Sequence, residues 1–245
     1  MAISTLPNIE VREPIEAGCF ALVPIHDDRV RALCEGKPGF TKFVSRFSNE
    51  FGVSTRPTLL ISRTDAAKTY LNADAVSAFR DTVSLCTIPS GWAKAIRFGN
   101  SSGIKYSDYF DLYPWSLSND DKHLSTMTLD LMGFHVIGEL RPQCTPAISL
   151  GSIADSALDE PLLKAILARF DICFRTGEPE PFDVRLFRSL NMANSAARLP
   201  AGVALTTYDM GRAISLWSSA IEILAPAKGE AFRGVYALLD KIEWR

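Results

Sequence analysis

Asp209, Arg212 and Glu222 are the residues whose types and spacing come nearest to chemistry, because one helical stretch carries all three. Asp209 stands in the first turn, where a carboxylate meets the positive end of the helix dipole. Arg212 and Glu222 are ten positions apart, and at about 100° per residue they project within roughly 80° of one another. Both border an apolar stripe. Two readings follow: ordinary flanking charges, or a polar cluster inside a helical bundle that orients a neighbouring site.

Other candidates are poorer. His26, His123 and His135 are far apart, and none has a partner at metal-ligand spacing. His135, inside GFHVIG, reads as a satisfied core histidine. Asp27-Asp28 and Asp120-Asp121 are adjacent pairs whose side chains diverge, so they read as solvated turns. The front half has no Gly-rich phosphate loop, no paired histidines and no GxSxG. Phe98, Tyr106, Tyr109 and Phe110 interleave with polar residues as in a base-stacking platform, but only Arg97 and Lys105 accompany them. Core and loop packing is the expectation there. The five cysteines, Cys19, Cys34, Cys86, Cys144 and Cys173, lack CxxC spacing and read as reduced, mostly buried thiols. No catalytic residue, cofactor or metal is expected.

The elements that must position the trio are helices. Thr206 and Thr207 can cap the stretch Thr206–Leu224, and Met210, Ile214, Trp217, Ile221 and Leu224 recur at helical spacing. Trp217 is expected in the core. Pro226 and Gly229 close the segment. Similar patterns predict helices over roughly 155–174, 183–199 and 231–243. Ahead of them, Cys19–Ile25, Pro57–Ser62 and Val83–Ile88 read as strands, as do Leu124–Leu131 and Met132–Leu140. Short helices are expected around Phe40–Phe47 and from Ala66 to Thr82. The pattern predicts an α+β protein: a mixed β-rich or α/β domain over 1–152, then an all-helical domain over 153–245.

At 245 residues, with 47% hydrophobic and 22% charged residues, the chain is long enough for a real core. Lys and Arg (26) nearly cancel Asp and Glu (28), giving −2, so there is no overall electrostatic footprint for nucleic acid. The N-terminal MAISTLPNIEVREPIEAG reads as no signal peptide, and no apolar run approaches a membrane span. A cytoplasmic location without membrane contact is expected.

Three segments carry a family resemblance: Phe187–Leu199 (FRSLNMANSAARL), Thr207–Leu224 (TYDMGRAISLWSSAIEIL) and Val235–Trp244 (VYALLDKIEW). Together they resemble the bacterial ApeA-like HEPN family, over roughly the last sixty residues. In that family an aspartate-started helix carries a Trp-containing stripe and a glutamate, matched here by Asp209, Leu216-Trp217 and Glu222. The resemblance implies a helical bundle of the anti-phage and toxin ribonuclease class. These are metal-independent enzymes in which the His of an Arg-x4-His motif works with a ribose 2′-hydroxyl and the Arg stabilises phosphate charge. This chain departs there, because the residues five before His26, His123 and His135 are Ala21, Ser118 and Asp130. The implied protein has a signal-recognising front, RNA as a target of its full-length parent, and a homodimer through the C-terminal helices. The chain itself is expected to be a truncated piece, its bundle incomplete and inactive as a nuclease. The alternative is a non-enzymatic helical scaffold that binds a ligand or partner.

Overall fold

The computed structural model describes residues 2–49, 51–62, 73–99, 106–127, 132–142, 151–153, 158–176, 179–199, 206–225 and 231–241. It is a mixed α+β chain in two compact units. The first comprises Met1–Ala66 with Asp108–Asp159, and the second Ala67–Ser107 with Glu160–Arg245. The division therefore differs from the contiguous 1–152 and 153–245 expected: a helix from the front half belongs with the helical unit. Among the described residues no helix is long and apolar enough to cross a membrane.

The first unit is built on strands β1 (Ala2–Leu6), β2 (Ile9–Val11), β3 (Ile15–Ala17), β4 (Phe20–Val23), β5 (Thr58–Ser62), β6 (Tyr113–Leu117), β7 (His123–Met127), β8 (Met132–Val136) and β9 (Gly151–Ile153). Seven of them form an antiparallel sheet in the order β3-β4-β5-β1-β6-β7-β8, while β2 and β9 pair in parallel. The Thr58 hydroxyl ties β2 to β5, accepting from Val11 N (2.9 Å) and donating to Ile9 O (2.8 Å). Helices α1 (Asp28–Gly36) and α2 (Pro38–Val44) supply Val30, Phe40, Phe43 and Val44 to a core shared with Val23, Leu59, Leu117 and Leu124. Phe43 packs edge-on to Trp115 at 5.1 Å.

Asp27 caps α1 through its side chain, accepting from Arg29 N at 2.9 Å. The cap of α2 comes from far along the chain: Gly39 N donates to the Asp121 carboxylate, offered by the turn between β6 and β7. A Cβ on Gly39 would lie 2.9 Å from the Asp121 carboxyl carbon and closer still to its backbone oxygen. The two adjacent-aspartate pairs are thus at turns, as expected, but each carries a helix cap.

His135 is a correction. It is only half-buried, 6.0 Å from Trp115, because β8 is the sheet's edge strand and leaves Met132, Phe134 and Val136 exposed. An apolar run alone does not distinguish an edge from a core strand.

The second unit holds α3 (Ala73–Phe98), α4 (Glu160–Thr176), α5 (Pro181–Ala196), α6 (Thr207–Leu224) and α7 (Ala231–Leu239). Val83–Ile88, expected as a strand, lies inside α3, a 26-residue helix that continues through Pro89. Every residue from Asp81 to Ile88 is buried, so the alternation was one flank of an all-round buried helix. Thr82 and Thr87 satisfy their hydroxyls on the carbonyls four residues back, Ala78 O (2.7 Å) and Val83 O (2.8 Å). The first part of the helix expected at Ala66–Thr82 lies outside the described residues.

Phe79, Phe170, Phe174 and Phe187 bring α3, α4 and α5 together, with adjacent rings 4.8–6.0 Å apart. Beside them α3 and α5 share two polar rungs. Asn191 donates to the Asp81 carboxylate (3.0 Å), and the Ser84 hydroxyl donates to Asn194 Oδ1 (2.5 Å). Arg80 holds the other Asp81 oxygen at 2.7 Å. On the far side of α5, Ser189 donates to Ala220 O at 2.7 Å, joining α6.

Helix α6 starts as expected, with Thr206 and Asp209 forming a capping box. Its packing face is not the expected stripe. Met210, Ile214 and Ile221 are exposed, Trp217 is half-buried, and Ala220 is the only buried α6 residue. The inward residues are Trp217 and Ala220, which pack with Ala193 and Leu190 of α5, the small alanines letting the two helices approach closely.

Two outcomes test these packing arguments. Gly39→Ala should cost about 1–3 kcal/mol by forcing Asp121 away from α2, checked by the urea midpoint; an unchanged midpoint would contradict the contact. Burial raises the Asp81 carboxyl above its ordinary 3.8, against the opposing pull of Arg80 and Asn191. The unfolded chain therefore ionises first as pH rises, and this group's contribution to stability falls from about pH 4 until the folded value is passed. Asp81→Asn removes that fall, so variant minus parent stability should climb through that window. A difference flat in pH would refute the assignment.

Candidate functional site

A cavity of about 270 Å³ lies among α3, α5 and α6, lined by Trp92, Tyr106, Arg198, Asp209, Arg212 and Trp217 together with small and apolar residues. Each wall has a local reason. Trp92 comes from the last third of α3, beyond Pro89. Tyr106 precedes a 3-10 turn, Ser107–Phe110, whose first amide donates to Ala197 O (2.9 Å) and so fixes Tyr106 at the end of α5. Arg198 follows α5 directly. Asp209, Arg212 and Trp217 rise from the first three turns of α6.

The rings of Trp92 and Tyr106 meet edge-to-face, 6.3 Å apart at 66°. Asp209 is engaged with Thr206: its carboxylate accepts from the Thr206 hydroxyl (2.6 Å) and amide (3.2 Å). Those bonds, and then the Arg212 charge, hold its carboxyl below the usual range. Its charge is spent on starting the helix. Two guanidiniums and one committed carboxylate leave the lining with one net positive charge, next to three half-buried aromatic rings.

Among the described residues the lining contains no histidine or cysteine, and its one carboxylate is the cap. Two arginines and flat aromatic faces suit an anion attached to a planar ring. A larger cavity of the same unit, about 470 Å³ between α3, α4 and α5, is lined by Asp81 and Asn191, which satisfy one another.

The structure thus brings together two of the three residues singled out in the sequence. Glu222 is exposed and does not line the cavity, since ten residues advance about 15 Å along a helix axis. Sequence reasoning missed Trp92 and Arg198, which carry no local signal, and it placed Tyr106 in loop packing. Only Tyr109 and Phe110 of that aromatic run are core residues. Among the described residues no group of three His, Cys, Asp or Glu side chains could hold a metal ion. Comparison of the chain with protein-family models, with curated proteins and with solved structures finds no match in any of the three.

Proposed function

We propose that the chain is a non-catalytic, RNA-contacting protein of the ApeA-like HEPN class. Its helical unit grips one nucleotide of a single strand in the Trp92–Tyr106–Arg198–Arg212 cavity. The observation that carries this reading is the pairing of aromatic faces with two guanidiniums in one small pocket. Aromatic side chains stack any base, while cations neutralise phosphate. The resemblance of Phe187–Leu199 and Thr207–Leu224 to that family supports the same class, and the missing Arg-x4-His argues against cleavage by these residues. The test is fluorescence anisotropy of an end-labelled, twelve-nucleotide single-stranded RNA, with gel analysis of the same mixtures. Trp92→Ala and Arg212→Ala should each weaken binding about tenfold, for Trp92 toward the lower end of the range for one stacked base. The RNA should remain intact. Affinity unchanged in both variants would refute the binding site, and cleavage abolished by a point change within the chain would refute the non-catalytic reading.

A second reading, a helical scaffold that forms a homodimer, is favoured by a separate observation. Met210, Ile214 and Ile221, which share one side of α6, are 51%, 62% and 38% exposed. An apolar face of this kind is unusual on a monomer's surface. Light scattering at micromolar concentration should find a dimer that Ile214→Lys converts to monomer. A parent chain that stays monomeric would end this reading.

A further inference from the structure

A cleft of about 540 Å³ lies in the first unit between α1 and the outer strands β3, β4 and β5. Strand register explains it. Glu16 pairs with Ala21 and Ala21 with Ile61, so these residues form one row across the three strands. Helix α1 faces the row with Arg29, Ala32 and Leu33, spaced three and four apart on one side of the helix. One layer further in, Val23 and Val30 are fully buried in the core. Here an alanine stands on each side, Ala21 on the sheet and Ala32 on the helix, and the volume between them is open.

The charges sit at the mouth. Arg29 donates to Asp27 through Nε (2.8 Å) and Nη2 (2.9 Å), and to Glu16 through Nη1 (2.7 Å). Arg29 and Glu16 line the cleft and cancel, while Asp27, which does not line it, holds Arg29 from behind. Asp27 also caps α1 and its side chain is only 10% exposed, whereas the Glu16 side chain is 61% exposed. An entering anion would have to take Arg29 from two carboxylates and then sit beside both. An entering cation meets the solvent-facing carboxylate of Glu16 and leaves the Arg29–Asp27 pair intact.

We propose that this cleft binds a small apolar or aromatic molecule carrying one protonated amine, its body between Ala21, Ala32, Leu33 and Ile61 and its ammonium on Glu16. The proposal concerns the first unit alone and is independent of the RNA reading.

The experiment titrates the full chain with 2-phenylethylamine and, separately, with 3-phenylpropionate, which has the same ring on a short tether but the opposite charge. Binding is followed by amide chemical shifts. Saturable one-to-one binding of the amine is expected, at least tenfold tighter than that of the acid. Ala32→Trp fills the cleft from an exposed helix position and should abolish binding, with the urea midpoint reporting that the fold is kept. Should that variant unfold, Ala32→Leu is read instead and should weaken the amine at least tenfold. Glu16→Gln should weaken it about fivefold, the worth of one exposed ion pair. No saturation by the amine, equal or tighter binding of the acid, or full affinity in the folded Ala32 variant would each overturn the proposal.

Discussion

Asp81 is buried to 1% exposure in the middle of α3, and a carboxylate there is tolerated only where its oxygens are met. Arg80 meets one oxygen and Asn191 the other. Ser84 and Asn194 make a second rung, and both pairs are three residues apart on their own helices. Equal spacing on two helices defines one register. Sliding α5 by a turn leaves Asp81 without Asn191 and Asn194 without Ser84, which is costly in a dry interface. Since α5 also holds α6 through Ser189, that register passes to all three walls of the aromatic–arginine cavity. Trp92, Arg198 and Arg212 converge because the helices bearing them are held in one alignment.

Much of this architecture was readable in the sequence where local signals agree. Thr206 and Asp209 announced the start of α6, and β4 and β5 announced themselves as short apolar runs between turn residues. Errors arose where local pattern and tertiary setting compete. Val83–Ile88 alternates like a strand, yet it is the centre of a helix enclosed on every side. The stripe Met210–Ile214–Ile221 has helical period but faces outward, because the packing surface is made by alanines that hydrophobicity scores undervalue. Of the cavity, only Asp209 and Arg212 could be singled out. Trp92 and Arg198 are brought in by a contact between helices more than eighty residues apart in sequence, which nothing local encodes.

The two cavities differ in how their polarity arises. In the helical unit the cap at Thr206 uses up the one acid, so the arginines set the sign. In the first unit the cap at Asp27 ties up the one arginine, so the remaining acid sets it. Each time a helix start decides which charge is left for a visitor. Capping therefore sets the charge that each cavity presents as well as the start of its helix.

The chain order of the units bears on how the protein is made. Helix α3 ends at Phe98, and its partner α4 begins only at Glu160, with residues 99–159 between them. During synthesis, a helix whose central turns are buried on every side in the folded unit emerges and must wait while the rest of the β-sheet is translated. Its Phe79, Val83 and Ile88 have no helical partner from the second unit's C-terminal part throughout that interval. The nascent chain thus passes through a stage in which the apolar side chains and the polar rung residues of this helix are both unmet, the kind of species that holdase chaperones bind and that aggregates when translation stalls. Early folding of this protein is exposed to ribosome pausing between the codons for Gly99 and Glu160, far from either cavity.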